Sequence, residues 1–304
     1  MAKTIMTFSM TGSPNDKTPA RLSRRVGVSL LFLTIAVAGC APRTGEQSVT
    51  IKGSDTMVQL GQRWAELYMR SNPGVVIQVT GGGSGTGIAA LINGSTDIAQ
   101  ASRTMNREER ISARERRGAD VAEIPVALDA LAVYVNVLNG VESLSTDQIS
   151  QIFKGETTNW REVGGSDLDI ILYGRENSSG TFVYFREHVM GDADFAGTYQ
   201  SLPGTAAVIN AVTADPVGVG YGGIGYASGI KTIAIRTGPD SSPVDPTRDN
   251  VWSSAYPLSR NLFFYIVGEP EGLTKKFVDW TLGPAGQSVV SEVGYYPLRR
   301  KESP

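Results

Sequence analysis

Past the first forty residues, the chain alternates short apolar runs with strand spacing and amphipathic stretches with helical spacing. Residues 49–52 predict a strand, after which Met57, Leu60, Trp64, Leu67 and Tyr68 fall on one helical face. Residues 75–79 predict a second strand, 88–92 a short helix and 97–101 a third strand. Asn106, with Glu109 three residues on, predicts a capped helix running to Arg117. Residues 121–126 and 130–137 together predict one long extended stretch. The theme then repeats, with a helix over 145–153, a strand over 168–173, and helices over 182–190 and 206–212. Strands follow at 217–226 and 232–235, then a polar insert carrying Pro239, Pro243 and Pro246, a strand at 262–267, and helices at 273–280 and 287–293. Such alternation predicts an α/β fold with largely parallel sheets.

Two strand-to-helix junctions stand out. Residues 80–87 read Thr-Gly-Gly-Gly-Ser-Gly-Thr-Gly, and residues 178–182 read Ser-Ser-Gly-Thr-Phe. A Gly-rich loop opening a helix leaves backbone N–H groups unpaired beside the positive end of the helix dipole. Ser and Thr hydroxyls add neutral donors. Two such loops suggest an oxyanion held between two lobes. Arg175, just before the second loop, suits bidentate recognition of an oxyanion; a surface ion pair with Glu176 or another carboxylate is the plainer reading, but taken with the first loop, contact with the ligand is favoured. Gly53-Ser54-Asp55-Thr56 and Ser102-Arg103 also follow strands; a helix cap and an ordinary turn are their plainer readings.

Several chemistries are disfavoured. Residues 80–87 have no Lys after the last Gly, so they are not a Walker A loop, and Ser84 lacks the nucleophile-elbow pattern. Residues 220–225 match G-x-G-x-x-G, but more strand follows and no acid lies at the required offset, so a bulged or twisted strand is the better reading. His188 is the only histidine and there is no Cys/His cluster, so no metal and no cofactor are expected.

The N-terminus changes the picture of where the protein works. Arg21, Arg24 and Arg25 precede an apolar run, residues 26–38, too short to span a bilayer but suited to a signal sequence. It ends Val37-Ala38-Gly39-Cys40, which resembles a bacterial lipobox, and Cys40 is the only cysteine. Residues 1–39 are expected to be a lipoprotein signal peptide and 40–48 a tether, with lipid on Cys40 holding the protein to a membrane surface outside the cytoplasm. Removing residues 1–39 takes away five basic side chains and one acidic one, leaving a formal net charge of −6. A nucleic-acid partner is therefore not expected. An anion would have to be captured by local geometry.

Taken in order, Gly53-Ser54-Asp55-Thr56, residues 83–87, Asp97-Ile98-Ala99 with Ser102-Arg103, residues 144–153 with Gly155 and Asn159-Trp160, then Gly174-Arg175 and Ser179-Gly180-Thr181, the chain resembles the phosphate-binding proteins of high-affinity phosphate ABC transporters. The resemblance covers roughly residues 49–300. It implies the two-lobed type II periplasmic-binding-protein fold, with lobe one at 49–126 and 255–300, lobe two at 127–254, two crossings between them and the ligand in the cleft. It also implies a monomeric, non-enzymatic binder that takes inorganic phosphate to permease subunits. Carried over, the phosphate ligands are Ser54, Thr56, Ser84, Ser102 or Arg103, Arg175, Ser179, Gly180 and Thr181. Many members carry an Asp after the third strand as acceptor for the phosphate proton. Ser102-Arg103 stands there instead, leaving Ser102, Asp55 and Glu176 as candidate acceptors. Sulfate or molybdate binding and a secreted phosphatase are the alternatives.

Overall fold

A computed structural model describes residues 47–299 apart from Pro239. The signal segment, Cys40 and most of the tether lie outside the described residues. Among the described residues no helix is long and apolar enough to cross a membrane.

The chain runs β1 (Gln47–Gly53), α1 (Val58–Ser71), β2 (Val75–Thr80), α2 (Ser84–Ile92), β3 (Ile98–Ala101), α3 (Arg107–Arg117) and β4 (Val121–Val135). It continues through β5 (Ser143–Ser145), α4 (Thr146–Lys154), β6 (Ile171–Arg175), α5 (Gly180–His188), β7 (Gln200–Leu202), α6 (Thr205–Ala214) and β8 (Gly218–Gly223). It closes with β9 (Lys231–Thr232), β10 (Ala234–Arg236), α7 (Arg248–Trp252), β11 (Ser259–Val267), α8 (Gly272–Leu282) and α9 (Pro284–Glu292). Asn106 and Glu109 form the expected capping box on α3, and Ser145 with Gln148 forms another on α4.

Among the described residues one sheet carries the order β2-β1-β3-β11-β4-β8-β6-β7, with β9 on β4. The sheets are less parallel than the alternation of elements predicts. β11 runs antiparallel to both β3 and β4, and β4 antiparallel to β8, because these long strands carry the chain across the molecule and back. Two large cores sit on either side of that crossing. One joins Val49, Trp64, Ile98, Val126, Ala127, Leu262, Phe264, Phe277 and Val290. The other joins Ala130, Leu131, Val133, Phe153, Phe185, Tyr221, Tyr256 and Leu258. The core therefore changes within residues 127–130 on β4 and 258–262 at the start of β11, and the molecule is a two-lobed, mixed α/β fold of the type II periplasmic-binding class.

Three elements differ from expectation. α2 begins at Ser84, four residues before Ile88, and α5 at Gly180 instead of Phe182. Helix propensity disfavours Gly and Ser, but buried Ser84 and Ile88 hold the early turn in place. β6 spans Ile171–Arg175, where the apolar run suggests 168–173: Leu168 is half exposed, whereas Arg175 is buried and continues the strand. Within the polar insert Thr247 caps the short helix α7, its hydroxyl accepting from the Asn250 N–H. The strand expected over 217–226 stops at Gly223, pairs with β4 in unbroken register without a bulge, and gives way to a 3-10 turn at Ile224–Tyr226.

Candidate functional site

The strand ends that meet between the lobes bring five hydroxyls together. Ser54 follows β1, Thr56 lies in a 3-10 turn, Ser84 opens α2, Ser102 follows β3 and Thr181 lies in the first turn of α5. All five are buried. Ser54 Oγ donates to Ser102 Oγ at 3.0 Å, and the Ser102 N–H donates to Ser84 Oγ at 3.0 Å. Ser84 and Ser102 hydroxyls lie 3.4 Å apart. Thr181 Oγ1 reaches Thr56 Oγ1 at 2.9 Å and Ser102 Oγ at 3.5 Å. Thr181 belongs to lobe two and the other four to lobe one, so the cluster exists only where the lobes meet.

Backbone geometry demands glycine at two positions here. Gly83 has φ of 94°, and a Cβ on it would stand 2.5 Å from Ser178 O across the cleft. A Cβ on Gly180 would stand 2.3 Å from Ser84 Oγ. Next to Gly83, the Gly85 N–H donates to Ser178 O at 3.0 Å, joining the lobes directly. Ser179 accepts from the N–H groups of Thr181 and Phe182 at 3.2 and 3.3 Å, so its oxygen caps α5.

A cation stands at this cluster that the sequence reading missed. Arg260 Nη2 donates to Thr181 Oγ1 at 3.0 Å and Nη1 to Ser102 O at 3.1 Å. Its Nε donates to Asp129 Oδ2 at 2.9 Å, and Asp129 Oδ1 accepts from the Ile224 N–H at 2.9 Å. Both side chains are buried, and the Tyr184 ring lies 5.3 Å under the guanidinium. Arg260 and Asp129 are direct cross-strand partners of β11 and β4, at the point where the core changes. Burial pushes the Asp129 carboxyl above the ordinary range, while Arg260 and the Ile224 N–H pull it back. A signal existed in the sequence: Asp129 is the sole charge in residues 124–141, and Arg260 heads the apolar run at 262–267. A charge buried in a strand needs a partner.

The two expected arginines are engaged elsewhere. Arg103 donates from Nη1 and Nη2 to the Glu109 carboxylate at 2.8 and 2.6 Å. Arg175 is buried; Nη1 donates to Thr205 Oγ1 at 2.8 Å and Nη2 to Asp55 Oδ2 at 2.6 Å. Asp55 thus meets Arg175, and Glu176 faces an open cavity of about 730 Å³ lined also by Phe182, Phe195 and Tyr199. His188 is exposed, stacked on Tyr184 with centroids 3.9 Å apart. Among the described residues no group of three or more His, Cys, Asp and Glu side chains could hold a metal ion.

Buried hydroxyls and helix starts converging between two lobes, around a fixed guanidinium, define a binding protein for a small oxyanion. Comparison with known proteins agrees with that class: the model of the PBP superfamily domain matches residues 38–285. The phosphate-binding protein PstS of Pseudomonas aeruginosa is 34% identical over 266 residues, 82% of each chain. PstS of Bacillus subtilis is 34% identical over 83% of this chain and 81% of its own. Among solved structures, a phosphate-bound putative phosphate transporter substrate-binding protein from Clostridium perfringens superposes with a TM-score of 0.76 at 27% identity, covering 83% of this chain and 100% of that one. A phosphate transport receptor from Vibrio cholerae gives 0.67 at 30% identity, covering 82% and 100%. The chain belongs to the PBP superfamily and, within it, to the PstS-type phosphate-binding proteins.

Proposed function

We propose that this protein captures inorganic phosphate outside the cytoplasm and hands it to the permease of an ABC transporter. The observation that carries the reading is the buried cluster of Ser54, Thr56, Ser84, Ser102 and Thr181, assembled across the cleft and met by Arg260. A tetrahedral oxyanion needs many donors in three dimensions, and hydroxyls can donate to its oxygens or accept from its proton. The start of α5 adds the positive end of its helix dipole, while the Thr181 and Phe182 N–H groups are taken by Ser179. Arg260 brings the positive charge, oriented by Asp129. In this reading Ser179 shapes the loop as a cap, whereas Arg103 acts through Glu109. The lobes are 49–126 with 255–300, and 127–254, although Tyr256 and Leu258 pack into the second core. In this reading no bond of the ligand is made or broken, in keeping with the phosphate-binding proteins that the chain resembles.

Calorimetric titration with phosphate, sulfate and arsenate tests the reading. Phosphate is expected to bind one to one, arsenate to compete, and sulfate to bind at least tenfold more weakly, because a fully deprotonated anion leaves an acceptor without its proton. Sulfate affinity within tenfold of phosphate would replace phosphate with a general oxyanion as the ligand.

The anchor belongs to the same proposal. Lipid on Cys40 would keep the binder near its permease, with the polar stretch 40–48 as tether. Cys40→Ser is expected to release the protein from the membrane fraction with phosphate affinity intact. A serine variant that still partitions wholly with membranes would overturn the lipid anchor on Cys40.

A further inference from the structure

We propose that Tyr295, near the end of the described chain, is a positioning residue for the anion site. Its hydroxyl holds the Thr56 carbonyl and so fixes the direction in which Thr56 offers its own hydroxyl to the ligand. The inference rests on the phosphate reading for the ligand used in the test.

Thr56 lies in the 3-10 turn Asp55–Met57, between β1 and α1. Three successive carbonyls at this turn each accept from a distant side chain. Ser54 O takes Gln100 Nε2 at 3.0 Å, Asp55 O takes Tyr226 Oη at 2.8 Å and Thr56 O takes Tyr295 Oη at 2.6 Å. A single 3-10 turn has few good bonds of its own, so donors from outside decide how firmly it is set. Peptide planes are rigid, and holding a carbonyl therefore holds the residue that carries it. The Thr56 side chain has little slack on its other side. Its methyl group lies where a Cβ on Gly223 would stand 2.7 Å away, and its hydroxyl meets Thr181 Oγ1 at 2.9 Å.

Tyr295 is itself pinned from both lobes. Its ring is buried in the lobe-one core. From lobe two, Gly225 leaves it room, since a Cβ there would stand 2.4 Å from the ring carbons. The next residue, Tyr296, packs against the lobe-two core and exchanges two backbone hydrogen bonds with Leu128 on β4, at 2.8 and 3.0 Å. The Tyr296 hydroxyl donates to Pro246 O, and Trp252 Nε1 of α7 donates to Pro297 O at 3.0 Å. The Leu298 N–H then returns to Gln287 Oε1 of α9 at 2.9 Å. Residues 295–298 thus touch lobe one, lobe two and lobe one again, a strap over the crossing that carries the Tyr295 hydroxyl to Thr56.

The competing reading is that Tyr295 only fills the core. Tyr295→Phe separates the two, because it keeps the ring and deletes the one bond. Calorimetry with inorganic phosphate should show affinity lower by at least about threefold, since a buried carbonyl loses its partner and the turn its hold. Tyr296→Phe makes the same chemical change one residue on, in the same strap, and should leave affinity within about twofold, because it touches nothing in the Thr56 turn. In a Thr56→Val background, which lacks the hydroxyl being positioned, Tyr295→Phe should cost no more than about twofold. A smaller loss than threefold in Tyr295→Phe overturns the proposal, as does an equal loss in Tyr296→Phe or an undiminished loss in the Thr56→Val background. Hydrogen exchange at the Met57 amide, which closes the turn onto Ser54 O at 3.0 Å, supplies a ligand-free readout. It should quicken in Tyr295→Phe and not in Tyr296→Phe, and unchanged protection in Tyr295→Phe overturns the hold on the turn. If the wild type binds no phosphate, the phosphate reading falls while the exchange measurement still decides whether Tyr295 sets the turn.

Discussion

Arg260 and Arg175 are both buried, both paired with an aspartate and both near the cleft, yet their partners lie in different places. Arg260 finds Asp129 on the adjacent strand, directly opposite in register at the crossing. Its counter-ion stays with it whatever the lobes do, and its remaining donors are free to reach Thr181 and Ser102. Arg175 finds Asp55 on the other lobe, so its pair depends on closure. Burial and charge alone do not separate these roles. The location of the carboxylate does: a partner on the same wall aims the guanidinium into the cleft, and a partner on the opposite wall ties the walls together.

Arg260→Ala should break the comparison hardest. Truncation leaves Asp129, with no exposure at all, without its cation, and removing one partner of a buried pair costs about 3–5 kcal/mol of stability. Phosphate affinity should fall by about 2–5 kcal/mol, the usual cost of truncating a buried charged partner at an interface. Arg260→Lys keeps the charge but loses the fork that serves Asp129, Ser102 and Thr181 together. It should fold better than the alanine variant and still bind weakly. Calorimetry and thermal melts on both variants check this, and a lysine variant with wild-type affinity would remove Arg260 from the binding site. The ranking against Asp55→Asn matters as much: Arg260 variants should lose affinity at the site, whereas Asp55→Asn removes a contact between the two walls.

How much of this was legible in the sequence follows the same division. The hydroxyl-bearing strand ends were readable because local chemistry marks them: Ser54, Thr56, Ser84, Ser102 and Thr181 each sit where a strand gives way to a helix start or turn, and all five meet in the buried cluster. The fold class was readable from the alternation of elements and from the resemblance. The cations were not, because the partner of an arginine is a tertiary fact. Arg175 and Arg103 lie next to the right loops in sequence, but Asp55 is 120 residues from Arg175, and Glu109 claims Arg103 through the capped start of α3. Asp129 and Arg260, separated by 131 residues, become neighbours only through the antiparallel return of β11 along β4. Sheet direction was misjudged for the same reason: alternating elements suggest parallel neighbours, and only the topology reveals strands that cross between lobes and come back.

Tyr226→Phe sharpens the comparison with the smallest change. It deletes the hydroxyl that reaches the Asp55 carbonyl and leaves the ring, the ion pair and the hydroxyl cluster in place. One neutral hydrogen bond is worth about 0.5–1.5 kcal/mol net, so phosphate release should quicken by roughly two- to tenfold. Alkaline pH provides an independent check with a definite sign. The Tyr226 phenol is pushed up to about 12, first by burial and then by the Asp55 charge. A group whose acidity constant is raised by folding lends stability that is present in full below its ordinary value of 10.0 and lost as pH climbs through the folded value. The wild type should therefore exceed Tyr226→Phe in stability by a constant margin up to about pH 10 and lose that margin between there and about pH 12. Denaturant melts of the two proteins across that range measure it. A margin that stays flat through pH 12 would mean the phenol ionises no differently in the folded and unfolded chains.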